Sequence, residues 1–229
     1  MPVLLYFLAF ATLVFAVLTV VMRRKGRSFD GMIFKFLSSF AFMSISIVGY
    51  GYNTGIDHYY FCLVVFGLMF GLEGDVLLGI KEIAPKFKMK LIAMGTLSFL
   101  IGHIFFLSAF LRIGSFSFIP VVFSIAVAVV AAVLMRVLKF KINTPMAALA
   151  GVYYAFLWYK AAVALQLYIQ TGTLASLLGL IASALFIISD TCLAFLYFTP
   201  TKSKNRLVAV ELSTYYIAQT LFALTIAVY

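Results

Sequence analysis

Apolar residues run along the chain in eight long blocks separated by short polar connectors. The blocks lack the in–out alternation of membrane barrel strands, and each is close to the roughly 20 residues a helix needs to cross a bilayer. Lipid offers no partner to a bare backbone, so a continuous apolar block of this length closes its own hydrogen bonds as a helix. The pattern predicts an all-α protein, a polytopic bundle with transmembrane helices near 3–22, 33–51, 59–80, 91–111, 117–138, 145–169, 174–198 and 207–229. The connectors leave no room for a separate soluble unit, so residues 1–229 form one domain.

Composition sharpens this into a membrane assignment. The chain is 65% hydrophobic and 10% charged, with a mean hydropathy of +1.15, whereas soluble domains average about 45–50% apolar and about 25% charged. The net charge of +10 would suit a nucleic-acid partner if it formed a patch, but it is dispersed by topology. Arg23, Arg24, Lys25 and Arg27 follow block one, and Lys81, Lys86, Lys88 and Lys90 follow block three. Arg136, Lys139 and Lys141 follow block five, and Lys202, Lys204 and Arg206 follow block seven. The opposite connectors hold only Arg112. By the positive-inside rule the basic loops are cytosolic and both termini extracytoplasmic, with no nucleic-acid partner implied. The first block has no basic leader and does not resemble a cleaved signal. The expected setting is a bacterial inner membrane or a eukaryotic internal membrane. Cys62 and Cys192 fall near opposite ends of their blocks, which argues against a bridge.

Topology leaves Lys35, Glu73, Asp75, His103, Lys160, Asp190 and Glu211 unexplained inside the blocks. Ionisable groups there are functional candidates with partners to be found. Asp75 and Asp190 each lie about sixteen residues into their blocks, which places both roughly 7–12 Å inside the cytosolic edge. Lys35 and Glu211 lie near the cytosolic starts of their blocks, and His103 lies near the middle of its own. Gly67, Gly71 and Asp75 share one helix face, as do Gly179, Ser183 and Asp190, and small residues mark faces that approach other helices. These positions predict a polar pocket reachable from the cytosolic leaflet. Glu73 points about 200° away from Asp75 on a helical wheel. Plainer roles are also available: carboxylates can pair with lysines to fix packing, Lys35 and Lys160 can snorkel to opposite headgroup layers, and Glu211 can act as a cap. Tyr215 and Tyr216 lie too deep to be interfacial anchors.

Five ordered stretches then carry a resemblance. "LMFGLEGDVLLGI", "FKFLSSF", "GTLSFLIGHIFFLSAF", "ALFIISDTCLAF" and "ELSTYYIAQTLFA" resemble the motifs of the YhhN family, the group that contains the transmembrane lysoplasmalogenases. Phe36 stands where a proline is expected after the lysine, and Phe106 where an aromatic with a hydroxyl is common. The resemblance implies hydrolysis of the vinyl ether bond of a lysoplasmalogen, giving a fatty aldehyde and a glycerophospho-amine alcohol, without metal or cofactor. It places the essential acids at Asp75 and Asp190. Lys35, His103, Tyr215 and Gln219 fall on other motif positions, and with Glu211 they are the expected substrate-binding set. The partner implied is a lysophospholipid dissolved in the membrane. Protonation of a vinyl ether at carbon gives an oxocarbenium ion, so one carboxyl would act as acid and the other as stabiliser and base, with Lys35 and the basic rim holding the phosphate.

Other classes match less of the sequence. A zinc-dependent lipid hydrolase needs about three His-type ligands, and the chain has only His58 and His103. A small-molecule or proton-coupled transporter would use the same buried acids, but the sequence shows no inverted repeat and no pair of proline-broken spans. A purely structural membrane protein has no need of acids at matched depth.

Overall fold

The structure is a computed structural model that describes residues 3–229. Its eight long helices are α1 (Val3–Arg24), α2 (Ser28–Tyr52), α3 (His58–Ile83), α4 (Lys88–Ile113), α5 (Ile119–Val137), α6 (Thr144–Thr171), α7 (Leu174–Phe198) and α8 (Lys204–Thr225). A single 3₁₀ turn, Pro85–Phe87, joins α3 to α4. All eight are long and apolar enough to cross a membrane, and the chain is a multi-pass membrane protein.

The helix ends follow local chemistry. Asp57, Asn143 and Thr173 accept backbone N–H groups at the starts of α3, α6 and α7, satisfying donors that the first turn leaves open. Gly172 ends α6 in the left-handed conformation that suits glycine. Asp57 also bonds Arg112, and the guanidinium, together with the Tyr59 N–H, holds its carboxyl below the usual carboxylate range. Most expected boundaries move by a few residues, the largest shift being the start of α2 at Ser28 rather than 33. The fifth helix begins at Ile119 rather than at 117, with Pro120 in its first turn, a position that suits a residue without an N–H. The last helix stops at Thr225 instead of 229, because Ile226 and Ala227 bond back to the third residue before them and tighten the chain into turns.

Packing gives a closed ring of seven helices in the order α1, α2, α3, α4, α6, α7, α8. Helix α8 closes it against α1 and also reaches α2 and α3, whereas α5 packs only against α6, outside the ring. Small residues permit the close approaches. A Cβ on Gly102 would meet the Gly67 carbonyl oxygen at 2.9 Å, and one on Gly67 would meet the Phe106 ring at 2.6 Å. The ring interior is aromatic, with Phe106 stacked on Phe222 at 4.0 Å between centroids and Phe186 beside both His103 and Tyr215. Polar groups buried in this interior need partners within the bundle.

Candidate functional site

Asp75, on α3, is 2% exposed. Its Oδ2 accepts hydrogen bonds from Ser39 at 2.6 Å and from Tyr215 at 2.8 Å. Lys35 Nζ lies 2.9 Å from Oδ1 in an ion pair, yet it sits off the direction of an aligned hydrogen bond, so Oδ1 has charge contact without a directed donor. Ser39 is one helical turn beyond Lys35, so α2 supplies both groups from one face. Gln219 donates to the Tyr215 hydroxyl at 2.9 Å, and Tyr216 bonds the Lys35 carbonyl oxygen. Two helices, α2 and α8, therefore fix the carboxylate that α3 carries.

Asp190, on α7, anchors a second network. The Tyr153 hydroxyl donates to its Oδ2 at 2.5 Å. The Tyr153 oxygen lies 3.0 Å from His103 Nε2, and His103 Nδ1 lies 3.1 Å from Lys160 Nζ. Because Tyr153 gives its only proton to Asp190 and an ammonium can only donate, His103 carries its proton on Nε2. The chain then runs in one direction, from Lys160 through His103 and Tyr153 to Asp190. Lys160 is 0% exposed and faces the rings of Phe186 at 4.4 Å and Phe222 at 4.8 Å. Snorkelling outward is thus overturned for Lys160. Its stem turns into the ring, where a histidine lone pair and aromatic faces take the place of headgroups.

Both aspartates stand eight residues from the basic ends of their helices, about 12 Å in, and so match in depth. They do not share a hydrogen bond or an ion pair among the described residues. Between them lie Phe186, which packs edge-on against both His103 and Tyr215, and Phe99, which packs edge-on against Tyr215. The expected single polar pocket is therefore two networks parted by an aromatic layer. Asp190 is the aspartate found at a cavity, whereas Asp75 is 2% exposed. Asp190 lines a cavity of about 60 Å³ with Phe99, Tyr153, Leu193 and Tyr197.

That cavity sits between two unlike neighbours. Leu193 and Tyr197 also wall a polar cavity of about 240 Å³ at the basic end, bordered by Arg23, Lys81, Lys88, Lys204, Glu82 and Glu211. On the other side, Ala150, Tyr154, Ala194 and Phe198 are shared with an apolar groove of about 160 Å³ between α5, α6 and α7. Tyr154 and Thr191 are hydrogen-bonded across α6 and α7 at that groove. A separate open groove of about 820 Å³, toward the other end of α5, α6 and α7, is lined by no Asp, Glu, Lys or Arg and touches neither network.

Of the sequence candidates, Lys35, Asp75, Tyr215 and Gln219 meet in one network, and His103 joins Asp190 in the other. Lys35 is 3% exposed and engaged with Asp75, so it does not stand at the rim. Glu211 is buried at the basic cavity, away from any capping contact. Glu73 is exposed and accepts from Ser98, apart from both aspartates. Tyr153 and Ser39 complete the two networks without being ionisable groups that stand out within an apolar block. The signals for them were helical spacing, with Tyr153 two turns from Lys160 and Ser39 one turn from Lys35.

No group of three or more potential His, Cys, Asp or Glu metal ligands gathers among the described residues. The sequence profile of the YhhN family matches residues 31–226. No curated protein and no solved structure matches the chain.

Proposed function

The chain belongs to the YhhN family, and on that premise we propose that it is a membrane hydrolase that cleaves the vinyl ether bond of lysoplasmalogens. The observation that carries this reading is the order of the three adjoining spaces. A basic cavity, a small cavity holding one carboxyl group, and an apolar groove follow one another across shared walls. A lysoplasmalogen has the same order: charged headgroup, labile bond, hydrocarbon chain.

In this reading Asp190 is the proton donor, since it is the aspartate that lines the small cavity. Its proton goes to the vinyl carbon farther from the ether oxygen, the π electrons form the new C–H bond, and an oxocarbenium ion results. The Asp190 carboxylate then takes a proton from water as the water oxygen adds to the cation. The hemiacetal collapses by breaking its bond to the glycerol oxygen, which leaves with the hemiacetal hydroxyl proton. The products are a fatty aldehyde and a glycerophospho-amine alcohol, with one water consumed. Tyr153 orients Asp190. Asp75, paired with Lys35, contributes a fixed, oriented dipole one aromatic layer behind. By the positive-inside rule the basic cavity opens to the cytosolic side.

Running the reaction in D₂O and trapping the aldehyde at once as an oxime tests the chemistry. Protonation at carbon puts one deuterium on the carbon next to the aldehyde. Aldehyde released without that label would refute the mechanism.

A further inference from the structure

The basic cavity contains an unusual pairing of charges. Glu211 is 5% exposed, lines the cavity, and its carboxylate makes no hydrogen bond or ion pair among the described residues. The other acid there, Glu82, is engaged with Lys81 at 2.6 Å, and Lys81 also covers the Tyr197 ring. Arg23, Lys88 and Lys204 border the same space and have no acidic partner within ion-pair distance. So three cations and one buried carboxylate, none of them in a direct ion pair, face one volume of about 240 Å³, with Arg23 near enough to feel the Glu211 charge across it.

A purely anionic ligand would answer only the cations and would crowd the Glu211 carboxylate. A buried carboxylate without a partner is costly, and a cation placed beside it offsets that cost. The ligand that satisfies both signs carries a phosphate and an ammonium a few bonds apart. From this charge arrangement we infer that the cavity is a site for a zwitterionic phospho-amine headgroup, with Glu211 as the residue that selects the amine. The phosphodiester oxygens lie against Arg23, Lys88 and Lys204, and the ammonium donates to Glu211. The inference rests on the proposed hydrolase reading for its biological substrate, but the binding it asserts does not depend on hydrolysis.

The experiment is calorimetric titration of the purified protein in detergent at fixed ionic strength. Glycerophosphoethanolamine, glycerol 3-phosphate and inorganic phosphate serve as probes, and an alkyl-ether lysophosphatidylethanolamine, which has no vinyl ether, represents the intact lipid. Wild type binds glycerophosphoethanolamine about tenfold more tightly than glycerol 3-phosphate, a charge-assisted hydrogen bond's worth of preference. Glu211→Gln removes that preference, Glu211→Asp keeps part of it, and the Lys88→Ala/Lys204→Ala double variant weakens both ligands. The alkyl-ether lipid binds more tightly than the soluble headgroup, which identifies a lipid as the source of the phosphate. Equal or weaker binding of glycerophosphoethanolamine by wild type, or tightest binding of inorganic phosphate, would overturn the site, and neither result needs a variant to fold. Headgroup preference without aldehyde release would leave this site standing and remove the hydrolase reading. Aldehyde release without headgroup preference would do the reverse.

Discussion

Tyr153 donates a 2.5 Å hydrogen bond to Asp190 Oδ2 from a different helix, so the carboxyl group that lines the small cavity is aimed by α6 rather than by its own α7. The same hydroxyl accepts from His103, which in turn accepts from Lys160. The whole chain is buried, and each member fixes the rotamer of the next.

Tyr153→Phe removes the orienting hydroxyl while leaving the ring in place. Turnover of a lysoplasmalogen should fall by about 10²-fold, the scale expected when a reacting group is misplaced by about 1 Å. KM should change much less than kcat, because the ring still walls the cavity. Steady-state kinetics on the purified variant, with size-exclusion profiles to confirm folding, would check this.

The Lys35–Asp75 pair predicts a non-additive stability pattern. Lys35→Met leaves a buried carboxylate with its two hydroxyl donors but no counter-charge, and breaking such a pair costs about 3–5 kcal/mol. Adding Asp75→Asn removes the stranded charge, so the double variant should recover much of the loss. Thermal unfolding of both variants in the same detergent measures it, and equal losses would mean that the pair is not the buried contact seen here.

Gly102→Ala tests the helix contact that brings α4, and with it His103, against α3. The added Cβ would meet the Gly67 carbonyl oxygen at 2.9 Å, and a backbone atom cannot swing aside as a side chain can. Destabilisation of about 1–3 kcal/mol is expected. Gly151→Ala, where nothing lies within 4 Å of the new Cβ, should be close to neutral and serves as the control in the same unfolding assay.

The sequence carried the helices well because each crosses apolar solvent and needs a nearly unbroken apolar block. Depth was also legible, since rise per residue alone sets Asp75 and Asp190 level. Partners were not. Lys160 and His103 meet only because α6 packs beside α4 in the ring, with α5 excluded, and nothing local in the chain encodes that neighbour order. Hydropathy gave Lys160 a route to the headgroups. The structure instead gives it three phenyl faces and a ring nitrogen. The aromatic layer between the two aspartates was likewise hidden, because Phe99 and Phe186 look like ordinary lipid-facing residues until their neighbours are known.

The most direct measurement is fatty aldehyde release from a lysoplasmalogen by the purified protein, by Asp190→Asn and by Asp75→Asn, each with and without EDTA. Wild type should release aldehyde at a rate that EDTA does not change, Asp190→Asn should release none detectable, and a folded Asp75→Asn should release strongly reduced amounts. Undiminished release by a well-folded Asp190→Asn protein, or none by wild type, would contradict the proposed hydrolysis at Asp190.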